Sequence, residues 1–303
     1  MGIKRTLLIV GCGDIALRAA PLLQAHYRLL GLCRRTESYR QLRLHGITPV
    51  SGDLDNSKSL VKLAGMAHAV LDLAPPPDHG KHDTRTTNLL AALTKRPKSK
   101  ERILPQQLVY ISTSGVYGNC SGALIDETHP INPQTERAMR RADAERQVRE
   151  WGLRNCVSVS ILRVPGIYAT GRLPLARLRE GVPALLPEED SYTNHIHADD
   201  LAASLYAALR YAKPGRAYHV CDDSHLKMGE YFDLVADQFG LPHPPRIARA
   251  EINGRISPGM LSFMRESRRL TNTRMKHELH VNLRYPTVVD GIAASAAISP
   301  ESG

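Results

Sequence analysis

The residues best suited to chemistry are a glycine turn and an arginine pair about twenty positions beyond it. Gly11-Cys-Gly13-Asp14-Ile15-Ala16 ends the strand-like run Thr6–Gly11 and opens a helical pattern, so the spacing G-x-G-x-x-A falls where strand gives way to helix. There Gly11 permits a tight turn, Gly13 lets a pyrophosphate approach the backbone, Asp14 and Ile15 at the helix start are expected to bind the cofactor with them, and Ala16 keeps helix and strand close. The amide donors and positive dipole of a helix start favour the same anion. The ligand implied is a dinucleotide. A carboxylate at the end of the second strand would bind the ribose of NAD, but Gly31-Leu-Cys-Arg34-Arg35 stands there instead. Two guanidiniums suit a 2′-phosphate and predict NADP over NAD; the alternative is that they solvate a helix start. Asp53, followed by Leu54, is placed to reach the adenine amino group or to cap the next helix.

Two further groupings carry ligand-type side chains. His195 and His197 flank Ile196, with Asp199 and Asp200 next, which superficially offers a metal site. Alternation sends both histidines to one face, and the aspartates fit the cap and first turn of a helix Leu201–Tyr211, so no metal is expected. His79 and His82, beside Asp83, read as exposed loop residues. The five cysteines are scattered singly without a C-x-x-C pair, which signals neither zinc nor a disulfide framework and fits a reducing compartment.

Positioning these residues takes an ordered scaffold. Strand-like runs at Thr6–Gly11, Leu29–Arg34, Ile47–Ser51, Ala69–Leu73, Gln107–Ser112 and Val157–Leu162 alternate with helical patterns near 14–26, 36–45, 57–64, 83–95 and 134–151. The last helix is expected to use Asn132 as its cap and Pro133 as its first residue. This order predicts an α/β chain, a doubly wound parallel-sheet Rossmann fold with a smaller C-terminal substrate domain. The Rossmann domain is expected over 1–167 and the substrate-side portion over 168–303, with 193–222 packing back on the core through a helix 199–212 and a strand 216–221; a helix follows at 228–239. Composition agrees: 303 residues, 42% hydrophobic and 23% charged, bury a sizeable core, and no apolar stretch nears the roughly 20 residues of a membrane span. Met1–Arg5 runs straight into the first strand, where a signal peptide needs a longer apolar region, so a cytoplasmic chain is expected. The net charge of +10 favours anionic partners, and residues 246–284 alone hold nine basic and three acidic positions. Nucleic acid is not the expected partner, because aromatic residues are few and no nucleic-acid motif is present.

The chain resembles the short-chain dehydrogenase/reductase superfamily, in its extended and atypical members of the NAD-dependent epimerase/dehydratase type. The resemblance rests on the turn at 11–16, Gly52-Asp53-Leu54, Leu73-Ala-Pro-Pro-Pro77, Tyr110-Ile-Ser-Thr-Ser-Gly-Val-Tyr-Gly118, Asp126-Glu127, Leu162-Arg-Val-Pro-Gly-Ile-Tyr168 and Asn194-His-Ile-His-Ala-Asp-Asp-Leu201. It implies that Ala74 and Pro75 line the cofactor, that Pro165 to Tyr168 flank the nicotinamide, and that Thr113, with Tyr117 four residues on, carries catalysis. Arg172, His195, Arg268 and Arg274 fall on the substrate side, and pairing of helices into a homodimer is expected. The family's Tyr-x-x-x-Lys pair is missing: its positions hold Arg137 and Arg141, and a guanidinium has no accessible neutral form with which to accept a proton. These arginines read either as a solvated helix face or as groups facing cofactor or substrate phosphate, Arg141 being the one assigned to the cofactor. The function implied is NADP-binding oxidoreductase or epimerase chemistry on a small sugar-like or anionic substrate, or else NADP sensing without catalysis.

Overall fold

Short apolar runs, buried on both faces, are what a parallel sheet sandwiched between helices requires. The structure, a computed structural model, describes residues 4–95, 103–252 and 254–298. In chain order the strands are β1 (Arg5–Val10), β2 (Tyr27–Cys33), β3 (Ile47–Ser51), β4 (Ala69–Asp72), β5 (Gln107–Thr113), β6 (Leu124–Ile125), β7 (Ser158–Val164), β8 (Gly166–Tyr168), β9 (Ala184–Leu185), β10 (His195–His197), β11 (Ala217–His219), β12 (Arg246–Ile247) and β13 (Arg269–Leu270). Seven form one sheet in the order β3-β2-β1-β4-β5-β7-β11. The six strands expected for the first half are all present, and the segment at 216–221 supplies β11 as the seventh, parallel to β7. All neighbours are parallel, with registers such as Leu7 opposite Leu29 and Thr113 opposite Val164. The order reverses direction at β1 and β4, and a crevice opens over their carboxyl ends, where this architecture takes ligands.

The helices are α1 (Asp14–Gln24), α2 (Ser38–Leu44), α3 (Thr84–Thr94), α4 (Glu136–Asn155), α5 (Leu175–Arg179), α6 (Ala198–Tyr211), α7 (Met228–Gln238), α8 (Pro258–Met264), α9 (Thr273–Glu278) and α10 (Val288–Ile298). On one face, Ala16, Ala19, Ala20 and Leu23 of α1 share a core with Leu201, Leu205 and Ala208 of α6. On the other, Leu89 and Leu93 of α3 pack with Ala144, Val148 and Trp151 of α4. A third core joins Tyr168, Tyr231, Phe232 and Val235 to Val288 and Ile292 of the C-terminal helix. The chain returns once more at β13, which pairs with β6. Among the described residues no helix is long and apolar enough to cross a membrane.

Three local expectations change. α4 begins at Glu136 rather than after Asn132, because the Thr135 hydroxyl accepts the Ala138 amide and captures the cap. The segment 57–64 is a 3-10 helix, Ser57–Leu63, capped by Asn56, so Asp53 is not its cap. α6 starts at Ala198 with His197 as cap, its ring nitrogen accepting the Asp199 amide; Asp199 and Asp200 lie within the first turn.

Candidate functional site

Two cavities meet at Pro75, which stands on the wall of each. The first, of about 350 Å3, lies at the ends of β1, β2 and β3 and is walled by Gly11, Arg34, Arg35, Asp53, Leu54 and Ala74. Gly11 has φ of +89°, and a Cβ there would sit 2.6 Å from the Ala74 nitrogen, so only glycine closes this turn against the strand beside it. Gly13 precedes α1 as its cap, and nothing lies within 4 Å of where its Cβ would be. The helix N-terminus is therefore open to an approaching phosphate. Arg34 and Arg35 are exposed, and their guanidiniums have no hydrogen-bond or ion-pair partner among the described residues, an arrangement able to accept an anion from solvent. Asp53 uses one oxygen to accept the Asp55 amide at 3.0 Å. Arg85 closes the floor: it grips Asp55 through two contacts of 2.8 and 2.7 Å and donates to the Pro75 and Pro76 carbonyls at 3.2 Å each.

The second cavity, of about 400 Å3, lies over the ends of β4, β5 and β7. Its wall includes Thr113, Ser114, Gly115, Pro165 and Gly166 from the sheet edge and Arg137, Arg140 and Arg141 from α4. Tyr192, Phe263, Glu266 and Arg268 complete it from the C-terminal portion. Thr113 ends β5, and its oxygen accepts the Gly115 amide at 3.2 Å, leaving the hydroxyl proton available to an oxygen in the cavity. Arg141 is held by the Ala74 carbonyl (3.1 Å), the Tyr110 hydroxyl (3.0 Å) and the Ile111 carbonyl (2.9 Å), and so stands fixed under the junction of the two cavities. Beneath the same junction Asp72 accepts the Ala74 amide, and burial raises its carboxyl to about 7 despite that bond.

Several expected site residues are placed elsewhere. Tyr117 is 1% exposed; its hydroxyl contacts His219 Nε2 and Arg163 Nη1 at 2.6 Å each, and burial pushes it up to about 12. It is a core side chain, held away from the cavity by a turn of 3-10 helix, Ser114–Tyr117. Ile15 packs against the core of α1 and α6. Asp14 is paired with Arg18 (3.0 Å) and with Arg172 (3.3 Å), which spends Arg172 at the start of α1 rather than on the cavity wall. His195 is buried against Tyr231, ring centroids 4.2 Å apart, and burial lowers it to about 3. Arg274 donates to the Ala217 carbonyl at 3.0 Å and approaches Glu127 at 3.6 Å. Tyr168 is buried, donating to the Thr287 carbonyl, while Pro165 and Gly166 do reach the cavity.

Of the residues not anticipated, Arg140 was legible: 137, 140 and 141 are spaced i, i+3, i+4 and share one helix face. The solvated-face reading of Arg137 and Arg141 gives way, since all three arginines line the cavity. Tyr192, Phe263 and Glu266 had no such signal, because long-range packing brings Tyr192 and Glu266 from loops and Phe263 from α8 to the wall. Tyr192 lies with Arg269 at 4.8 Å and Lys227 at 5.8 Å from its ring centroid.

Residues 18–221 match the NAD dependent epimerase/dehydratase family. The chain belongs to that family. The match begins beyond Gly11 and Gly13, so the glycine turn stands on its own geometry. Among solved structures, a conserved protein of unknown function from Silicibacter pomeroyi is 28% identical, with a TM-score of 0.80 over 97% of this chain and 99% of that one. A UDP-glucuronic acid 4-epimerase from Bacillus cereus, in complex with NAD, gives 17% identity and a TM-score of 0.75 over 96% and 97%. A double mutant of a dTDP-glucose 4,6-dehydratase from Streptomyces venezuelae, with NAD bound, gives 18% and 0.75 over 96% and 95%. At these identities the last two establish the fold. No curated protein matches the chain.

Proposed function

We propose that this family member is an NADP(H)-dependent oxidoreductase or epimerase acting on a small sugar-like or anionic substrate. The observation that carries the reading is the continuity of the crevice: one cavity holds the glycine turn and the arginine pair, the other holds Thr113, and Pro75 belongs to both. A dinucleotide laid along it would have its 2′-phosphate at Arg34 and Arg35, its pyrophosphate at the start of α1 and its nicotinamide beside Pro165. When bound, the nicotinamide supplies or accepts a hydride. The NAD held by the Bacillus cereus epimerase supports a nicotinamide cofactor here.

The chain's own contribution is positional. Thr113 donates its hydroxyl hydrogen to the substrate oxygen, polarising the carbon that exchanges hydride. Arg141, locked by three acceptors, supplies a fixed cation at the family's lysine position, but it cannot lower a tyrosine pKa at Arg137 and cannot relay a proton. The phenol on this wall is Tyr192, from the opposite side of the crevice.

Calorimetry tests the cofactor assignment. NADP+ is expected to bind at least tenfold more tightly than NAD+, about 1.4 kcal/mol, with the preference lost in Arg34→Ala/Arg35→Ala. Equal affinities would remove the assignment. The second reading, cofactor sensing without turnover, draws on the sequestration of Tyr117. NADPH consumption with small carbonyl acids, together with interconversion of epimeric hydroxy substrates on protein loaded with NADP+, separates the two, since a sensor binds the cofactor and does neither.

A further inference from the structure

We propose that Arg137 and Arg268 form an oxyanion subsite beside Thr113, built for the carboxylate or phosphate group of a small acidic substrate. This deepens the crevice reading above, which defines where the reacting carbon lies. Four arginines line the second cavity against two carboxylates, Asp78 and Glu266. Arg141 is anchored by its three acceptors and Arg140 by the Gly80 carbonyl at 2.6 Å, although the buried Nε of Arg140 has no partner. Arg268 and Arg137 complete the set. Arg268, 7% exposed, donates through Nη1 to the Gly118 carbonyl (2.7 Å) and Glu266 (3.0 Å) and reaches Ser114 Oγ only at 3.5 Å, while its buried Nε has no partner. Arg137 lies over the Phe263 ring at 4.2 Å and has no hydrogen-bond or ion-pair partner among the described residues. Buried donors in folded proteins are nearly always paired, and the Arg268 Nε is not; Arg137 is exposed on the cavity wall, so its guanidinium is free to meet an acceptor that the protein itself does not provide.

The position of the subsite limits the ligand. A Cβ on Gly115 would lie 3.6 Å from Thr113 Oγ1 and 3.8 Å from Glu266 Oε2, so the cavity floor at Gly115 has the polarising hydroxyl on one side and the Glu266–Arg268 pair on the other. A molecule bridging them carries its hydroxyl or carbonyl a short distance from its acidic group, as hydroxy and oxo acids and compact phosphate esters do. Glu266 fixes Arg268 by charge, so Arg137 meets the anion directly while Arg268 adds a second, anchored positive charge to the wall. Arg137 is also short of compensating charge: burial and the neighbouring Arg141, Arg268 and Arg140 lower its pKa, against the opposing effect of Glu266. An entering oxyanion relieves that imbalance.

Titration calorimetry with inorganic phosphate and with malonate, on protein saturated with NADPH and on protein without it, tests the subsite. The wild type is expected to bind at least one probe in both states. Arg137→Ala and Gly115→Ala should each weaken binding at least tenfold. The alanine methyl at 115 meets protein atoms no closer than 3.5 Å, so the fold accommodates it while the floor is raised. Arg154→Ala removes the same charge from an exposed position on α4 and should change affinity less than twofold. Absence of binding by either probe, wild-type affinity in Arg137→Ala, or an equal loss in Arg154→Ala would overturn the subsite. Failure of NADPH to bind would overturn the cofactor reading instead, leaving the NADPH-free titration to decide the subsite alone.

Discussion

Thr113 and Tyr117 are four residues apart, yet one faces the cavity and the other the core. The 3-10 turn between them makes the difference, because it carries Tyr117 beneath the sheet edge to meet Arg163, itself doubly bonded to Glu145 at 3.1 and 2.8 Å. Two different mutant behaviours are expected. Tyr117→Phe strands a buried Arg163 donor and a His219 acceptor, and should cost about 1–3 kcal/mol in urea unfolding. NADPH affinity of the folded protein should stay within twofold. A fully stable Tyr117→Phe would contradict the buried network. Thr113→Ala should cost about 0.5–2 kcal/mol, because its oxygen caps the 3-10 turn through the Gly115 amide, and should lower turnover about a hundredfold, as loss of one oxygen-polarising donor does. Tyr117 was misread in the sequence because its spacing from Thr113 suits a site, and only the local turn reveals which side chain points inward.

At the scale of elements, the strands were legible because buried parallel strands read as apolar runs, and the glycine turn because its spacing coincides with a strand end. The start of α4 was not: Asn132-Pro133 and Thr135 both offer caps, and competition between hydrogen bonds decides. The Ala74–Pro77 turn, where the cavities join, was recognised, but its support from Asp72 was not, since a carboxylate at the end of β4 gives no sign of its burial. That burial makes the turn pH-dependent. With the folded carboxyl at about 7 and the unfolded one near its ordinary value of about 4, the folded protein keeps a proton that the unfolded chain releases between these limits. Asp72 therefore contributes its full stability below about pH 4 and loses it as pH rises through about 7, a change of up to roughly 4 kcal/mol. Asp72→Asn retains an acceptor for the Ala74 amide and is expected to flatten this component. Unfolding curves from pH 4 to 8 that are parallel for wild type and Asp72→Asn would refute it.

For the whole molecule, the sequence suggests a cofactor domain ending near residue 167, whereas the packing ties the halves together at three levels. β11 completes the central sheet beside β7, and α6 covers the apolar face of α1 that would otherwise expose Ala16, Ala19, Ala20 and Leu23. Ion pairs cross as well: Arg18 reaches Asp199 at 2.6 Å and Arg172 reaches Asp14 at 3.3 Å. The basic excess at 246–284, expected to favour anionic partners, is partly spent on ion pairs within the C-terminal half, with Arg246 on Asp233 and Lys276 on Asp223. Cutting at 167 would thus remove an edge strand's partner and uncover one face of the sheet layer together. The fragment 1–167 is expected to lack fixed tertiary packing, with weak near-ultraviolet dichroism and no NADPH binding, and the full chain to unfold in one calorimetric transition. A fragment that binds NADPH with full-length affinity, or two separate transitions in the intact chain, would show that the cofactor half stands alone. The expected result follows because its glycine turn opens a helix whose buried face is completed by residues nearly two hundred positions away.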